Sequence, residues 1–174
     1  MKSPTEIADL ITELKDDFVL STAGLPLILS PHRQSFMDQV GVAAGDEIDM
    51  TLGFGRERYA FQLEPALDRV QRRPDIQFNV VRAWAELAAL KVGREMKLNN
   101  YFDKRPLFEF LRHVRNAVAH GNRFDVRKVD RPAVFEHHEV REDMNGAVCI
   151  GGELKTAEVF ALLDEVAVEL RDLP

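Results

Sequence analysis

The segment from Pro106 to Gly121 constrains the fold of this chain more than any other. Placed on a helix at about 100° per residue, its sequence PLFEFLRHVRNAVAHG divides into an apolar face and a polar stripe. The apolar face consists of Leu107, Phe110, Leu111, Val114, Ala117 and Val118. Gly121-Asn122 is typical of a left-handed helix end, so we predict a helix from Pro106 to Ala119 or His120. Because its apolar face has to pack, its polar stripe must face solvent or a second subunit.

Start and stop signals predict further helices. Ser3-Pro4-Thr5-Glu6 forms a capping box with proline at the first helical position, and Ser30-Pro31 repeats the N-cap and proline pattern. Proline and apolar periodicity mark the other starts. We predict helices at about 4–18, from Ser30-Pro31 to Gly41, at 65–73, from 74 to 97–100 and at 156–171.

Two segments interrupt the helical pattern. Residues 41–64 contain four glycines and are either short strands or an irregular, glycine-rich insert. Residues 133–152 contain Asn145-Gly146 between two apolar runs, which predicts a β-hairpin turning at that pair. The predicted class is therefore mainly α: one domain over 1–174, a helical up-and-down bundle with a C-terminal β-hairpin and a final helix.

Charge is distributed unevenly along the chain. The net charge is −6, which argues against a general nucleic-acid coat protein. Between Lys104 and Arg131, however, there are eight basic and three acidic residues, a local balance of +5. This window could hold an anionic partner while the acidic remainder keeps the protein in solution.

The cysteine content and the N-terminal sequence indicate in which cellular compartment the protein is expected. The single cysteine, Cys149, cannot form an internal disulfide and stands in an apolar run, so we expect a buried hydrophobic side chain. No apolar run is long enough to span a membrane, and acidic residues interrupt the N-terminal segment where a signal peptide would be apolar. We therefore expect a cytoplasmic protein without a membrane partner.

The polar stripe of the 106–120 helix carries the chemistry-bearing side chains. It consists of Glu109, Arg112, His113, Asn116 and His120. Asn116 and His120 lie one turn apart and can meet, whereas Arg115 lies about 140° around the helix from His120. Direct contact between Arg115 and His120 within one chain is therefore awkward. Across a two-fold axis, a second copy of the helix could bring both into one cleft, which predicts a homodimer.

Here the sequence resembles the HEPN superfamily (higher eukaryotes and prokaryotes nucleotide-binding domains). Ribonucleases of that superfamily carry an Arg-x4–6-His motif near a helix end, often with a polar residue directly after the arginine. This chain has Arg115-Asn116-Ala117-Val118-Ala119-His120 followed by Gly121, and the resemblance covers roughly residues 75–122. Arg131 also precedes His137 and His138 at suitable spacing, but we set those pairs aside because the histidines fall in a predicted strand.

The resemblance implies a metal-independent RNA endonuclease in which the ribose 2′-OH attacks its phosphate and leaves a 2′,3′-cyclic phosphate. It makes Arg115, Asn116 and His120 the candidate catalytic residues: arginine for the phosphate oxygens, histidine for proton exchange and asparagine to orient the imidazole or donate to phosphate. Arg112, His113 and Arg123 are candidate RNA-binding residues. The resemblance also implies a prokaryotic defence or toxin–antitoxin setting, with an antitoxin protein as a partner.

Two other functional hypotheses fit the same residues. The first is a non-catalytic HEPN-type module that binds a nucleotide, an RNA or a partner protein, and the second is a plain helical scaffold protein. No cofactor is expected. No metal is expected either, because His137 and His138, as neighbours in a strand, would point to opposite faces.

Overall fold

The protein is mainly helical, with a small antiparallel hairpin before its last helix, as predicted. The computed structural model describes residues 1–39, 41, 43, 47–52 and 57–173. Within them the helices are α1 (Pro4–Ile28), α2 (Arg33–Gln39), α3 (Leu63–Arg72), α4 (Pro74–Leu98), α5 (Pro106–Ala119) and α6 (Thr156–Arg171). A short 3-10 helix spans Glu142–Met144. Among the described residues, none of the helices combines the length and the apolar character needed to cross a bilayer.

The chain forms two compact units. The first comprises Met1–Phe18 with Val81–Pro174, and the second comprises Val19–Val80. Helices α1 and α4 each contribute residues to both units. All candidate site residues belong to the first unit.

Helix α5 lies at the centre of the first unit's core. Its predicted apolar face is buried, and Phe108 joins it. The helix packs against the hairpin and against α6, with the rings of Phe110 and Phe135 5.8 Å apart. It ends as predicted, since Gly121 adopts a φ of +83°, which glycine tolerates without steric cost. The start and end of α5 are thus set locally, while its orientation is set by packing.

The C-terminal hairpin is shorter than predicted and turns elsewhere. Its two strands are the third and fourth of the chain, β3 (Val134–Phe135) and β4 (His138–Glu139). They pair directly across the turn Glu136-His137. Asn145-Gly146 instead follows the 3-10 helix, and both residues bond to the segment after α5: Asn145 Oδ1 accepts from the Val126 N–H, and the Gly146 N–H donates to Phe124. These long-range bonds, which local turn propensity does not reveal, explain the incorrect turn position.

The second unit contains the other hairpin. Strands β1 (Glu47–Leu52) and β2 (Glu57–Gln62) pair antiparallel, from Glu47 opposite Gln62 to Leu52 opposite Glu57. Of the two alternatives for residues 41–64, short strands are therefore correct for these ranges. Gly45, Gly53 and Gly55 lie outside the described residues.

The capping box predicted at the start of α1 is present. The Ser3 N–H donates to Glu6 Oε2 at 2.7 Å, and the Glu6 N–H donates to Ser3 Oγ at 3.2 Å. The helix then continues to Ile28 rather than ending near residue 18. Its buried apolar residues, Ile7, Leu10, Ile11 and Leu14, lie in the part that belongs to the first unit.

Candidate functional site

Arg115 is held on α5 by packing along its stem. A Cβ added to Gly93 of α4 would lie 2.5 Å from Cγ and 2.8 Å from Cβ of Arg115, so the absence of a side chain at Gly93 makes room for the arginine. The guanidinium Nη1 donates to Oδ1 of Asn116 at 3.0 Å. Its Nε is buried and has no hydrogen-bond partner among the described residues. Arg115 is therefore fixed in place while part of its hydrogen-bonding capacity is unused.

A cavity of ≈ 280 Å³ opens beside this pair. It is lined by Lys97, Phe102, Arg112, Arg115 and Asn116. A second cavity of ≈ 400 Å³ shares two of these residues, Phe102 and Arg112, and its other lining residues are Glu109, His113, Lys128, Asp130 and Arg131. We call the two cavities together the cleft.

Basic side chains outnumber acidic ones in the cleft, five to two. Lys128 pairs with Asp130 at 2.6 Å. Lys97 and Arg115 have no ion-pair partner in the part of the chain that the structure describes. The cleft can therefore attract an anion, with Arg115 and Lys97 as uncompensated charges.

Glu109 is the buried centre of an ion-pair network at this site. Its side chain is only 5% exposed, and one carboxylate oxygen lies 2.6 Å from Nη2 of Arg112. The other oxygen lies 3.8 Å from Nη1 of Arg131, which belongs to the segment after α5. A buried carboxylate needs such partners, because an unpaired charge in the interior is costly. The network fixes the guanidinium of Arg112 at the junction of the two cavities.

The environment of His113 favours its neutral form. Nη2 of Arg112 lies 3.2 Å from Nε2 of His113, and since arginine can only donate, this nitrogen must accept and the proton resides on Nδ1. Burial lowers the pKa of His113, the charge of Arg112 lowers it further, and Glu109 partly opposes both. The predicted role of His113 in RNA binding would therefore use a neutral imidazole.

His120 lies at the exposed end of α5. Its backbone N–H donates to the carbonyls of Asn116 and Ala117, both at 3.1 Å. Its imidazole has no hydrogen bond or ion pair with any residue described, and it does not line the cleft. Within one chain Arg115 and Asn116 are hydrogen-bonded to each other, whereas the imidazole of His120, one turn beyond Asn116, bonds to neither of them.

Arg123 lies away from Arg112 and His113. Its Nη1 donates to the carbonyl of Gly146 at 2.7 Å, and it lines a different cavity of ≈ 410 Å³ with Arg82 and Glu86. Of the three predicted RNA-binding residues, only Arg112 and His113 line the cleft.

Sequence reasoning missed Lys97, Lys128 and Arg131 as residues of the site. Lys128 and Arg131 lie in the basic window of residues 104–131, and this excess of positive charge is the sequence feature that could have identified them. Lys97 has no such signal, because only the packing of α4 beside α5 brings it to the cleft. Cys149, by contrast, is fully buried as predicted, and burial raises the pKa of its thiol to about 12.

No protein-family model, no curated protein and no solved structure matches this chain.

Proposed function

We propose that this protein is a metal-independent RNA endonuclease of the HEPN type that acts as a homodimer. The observation that carries the proposal is the donor-rich cavity around the Arg115–Asn116 pair. Arg115 Nη1 uses the amide oxygen of Asn116, so the Asn116 Nδ2 group is left to donate elsewhere. Together with Arg112 and Lys97, the pair offers mainly donors, the complement of a phosphate group.

In the proposed reaction the cleft binds the scissile phosphate. The guanidinium of Arg115 stabilises the negative charge that develops on the phosphorane oxygens, and Asn116 donates a further hydrogen bond. The ribose 2′-OH attacks the phosphorus and the 5′-oxygen departs, which leaves a 2′,3′-cyclic phosphate and a 5′-hydroxyl. A proton must leave the 2′-OH and another must reach the 5′-oxygen.

His120 is the group that we assign to proton transfer. Its exposure at the helix end leaves the imidazole accessible, and histidine is the side chain that most often serves as a general acid or base. Because its imidazole bonds to neither Arg115 nor Asn116 and does not line the cleft, the proposal requires the His120 of a second copy to approach the cleft. A cytoplasmic role in defence or in a toxin–antitoxin pair, with an antitoxin protein as partner, belongs to the same proposal.

The test is cleavage of single-stranded RNA by the purified protein in EDTA. We compare the wild type with His120→Ala and Arg115→Met, where methionine keeps an apolar stem against Gly93 but removes the charge. His32→Ala and Arg72→Met are matched controls, since both residues are exposed, lie outside the basic window of 104–131 and do not line the cleft. We expect cleavage by the wild type and both controls, with losses of about 100-fold or more in the two site variants.

The products and the assembly state complete the test. Product ends should be cyclic phosphates, and mixing His120→Ala with Arg115→Met should restore activity if each site uses residues of two chains. Equal amounts of intact RNA with wild type and site variants would refute the nuclease function.

The second candidate is a non-catalytic HEPN-type module that binds RNA or a nucleotide. It is favoured by the lining of the ≈ 280 Å³ cavity beside the Arg115–Asn116 pair, which has donors for a phosphate but no histidine. In that case RNA binds without being cut, Arg115→Met weakens the binding, and added salt reduces it.

A further inference from the structure

Three side chains with metal-ligating atoms meet between the β3–β4 hairpin and the first turn of α6. They are His137, His138 and Glu158, whose donor atoms all lie within 4.8 Å of one another. Nε2 of His138 lies 3.5 Å from Oε1 of Glu158. Two ligands of a tetrahedral zinc ion, each about 2.0–2.1 Å from the metal, are about 3.3 Å apart. This pair already has nearly the spacing of zinc ligands.

The imidazole of His138 is held in place by aromatic neighbours. Its ring is stacked on Phe135 at an interplanar angle of 8°, and the ring of Phe110 lies 6.3 Å away. Its Nε2 is buried and makes no short hydrogen bond among the described residues; it faces Oε1 of Glu158 at 3.5 Å. A contact of that length is weak for a buried nitrogen, so a cation between the two groups would bind both.

Glu158 is held by the cap of α6. Its Oε2 accepts the backbone N–H of Lys155 at 2.7 Å, which leaves Oε1 for His138. This backbone hydrogen bond fixes the orientation of the carboxylate towards His138. Hydrogen bonds that orient a ligand in this way are typical of metal sites.

His137 supplies the accessible side of the cluster. It occupies the tight turn, directly after Glu136 with its φ of +50°, and its ring centroid lies 4.1 Å from that of His138. The expectation that the two histidines diverge assumed a continuous strand through both. The turn removes that assumption, because residues in a turn do not alternate between two faces.

We propose that His137, His138 and Glu158 bind one divalent transition metal ion of the zinc class. Two neutral imidazoles and a carboxylate are ligands that zinc commonly takes, and a three-residue set leaves a position for water or another ligand. The ion would connect the hairpin to α6 through the His138 nitrogen and the Glu158 oxygen that face each other at 3.5 Å. The site is separate from the cleft and independent of the proposed nuclease function.

Calorimetric titration with zinc chloride tests this proposal on the full chain after removal of metals with EDTA and dialysis. We expect one zinc ion per chain in the wild type. His137→Ala and Glu158→Gln should each weaken zinc binding about tenfold or more. Removing a group that merely orients a ligand already weakens metal binding about tenfold, and loss of a ligand should cost at least as much. Glutamine keeps an acceptor for the capping box, and His137 is exposed, so both variants should fold.

His32→Ala removes an exposed histidine outside the cluster and should bind zinc as the wild type does. A metal that binds only the folded state should also raise the melting temperature of the wild type but not of His137→Ala. The proposal is overturned if the wild type takes up no zinc, or if His137→Ala and Glu158→Gln bind it with unchanged affinity.

Discussion

Arg115 donates a hydrogen bond to the side chain of the next residue, Asn116, at 3.0 Å. Side chains of consecutive helical residues normally diverge, so this contact requires the long arginine to fold back along α5. Packing of its stem against Gly93 favours that conformation. The amide of Asn116 is thereby turned so that its donor group is free for a ligand.

Asn116→Asp should therefore impair the cleft more than Asn116→Ala. Aspartate would still accept from Arg115, but it would neutralise the guanidinium and place a negative charge where phosphate is to bind. We expect RNA affinity and cleavage to fall about tenfold or more in Asn116→Asp, and less in Asn116→Ala. Equilibrium binding at several salt concentrations measures the effect; a weaker effect of aspartate than of alanine would contradict it.

Gly93→Ala should destabilise the protein in spite of alanine's higher helix propensity. The new methyl group would meet Cγ and Cβ of Arg115, atoms near the backbone that cannot move far. We expect a net loss of about 1–2 kcal/mol in the free energy of unfolding, typical of overpacking, and weaker RNA binding because Arg115 is displaced.

A double-mutant cycle separates this clash from other effects. Arg115→Ala removes Cγ, the closer of the two clashing atoms, and should relieve part of the strain, so the coupling energy between Gly93→Ala and Arg115→Ala should be about 1 kcal/mol. Urea unfolding of the four proteins measures it. Additive effects of the two substitutions would show that the close approach does not determine stability.

Glu109→Gln should lower stability and raise RNA affinity. The free energy of unfolding should fall by about 1–3 kcal/mol, because a buried charge-assisted interaction with Arg112 is lost. The positive charges of Arg112 and Arg131 would then lack part of their negative counter-charge, so RNA should bind more tightly. We expect the affinity to rise roughly threefold, the effect of removing one negative charge about 6 Å from a phosphate in water. Chemical unfolding and RNA titration measure the two effects.

Glu13→Gln is the matched control, since it changes net charge equally at an exposed position that does not line the cleft. It should leave stability and affinity nearly unchanged. A fall in RNA affinity for Glu109→Gln would mean that positioning of Arg112 outweighs the added charge.

Cys149 should make the protein sensitive to alkaline pH. Burial raises the thiol pKa from 9.0 to about 12 in the folded state. Above pH 9 the unfolded chain loses its thiol proton while the folded chain keeps it, so stability decreases with pH until the folded thiol also ionises.

Between pH 8 and pH 10.5 the wild type should lose about 2 kcal/mol more than Cys149→Ala, since one pKa unit corresponds to about 1.4 kcal/mol. Urea unfolding of both proteins at both pH values measures this loss. Titratable groups that the two proteins share contribute equally to each, so their effects cancel in the comparison. The native thiol should also resist alkylation at pH 8 and react in denaturant. Equal pH dependence of the two proteins would contradict the burial argument.

Helices with strong local signals were predictable nearly to the residue. Proline and glycine mark the limits of α5, and the predicted limits of α6 agree with Thr156–Arg171. The end of α1 was not predictable in this way, because the helix continues past its buried apolar stripe to Ile28. The buried face of α4 consists of Ala85, Ala88, Ala89, Val92 and Met96, and it leaves Trp84 only partly buried.

The candidate site was predictable only in part. The motif and the basic window identified Arg112, Arg115 and Asn116 as neighbours on one helix. Glu109 looked like one more residue of a polar stripe, whereas Arg131 covers it from a segment 22 positions later and buries it. The cluster of His137, His138 and Glu158 was missed because the position of the hairpin turn depends on contacts distant in sequence.

The amino-acid sequence by itself determined the helical class, the limits of α5 and α6, and the placement of Arg115, Asn116 and His120 on one helix. These properties depend on hydrogen bonds and side-chain spacing within a few residues. Only the tertiary structure decided that Gly93 accommodates Arg115, that Glu109 is buried, and that His138 meets Glu158. Each of those contacts joins residues far apart in the chain, and packing of the whole core selects them.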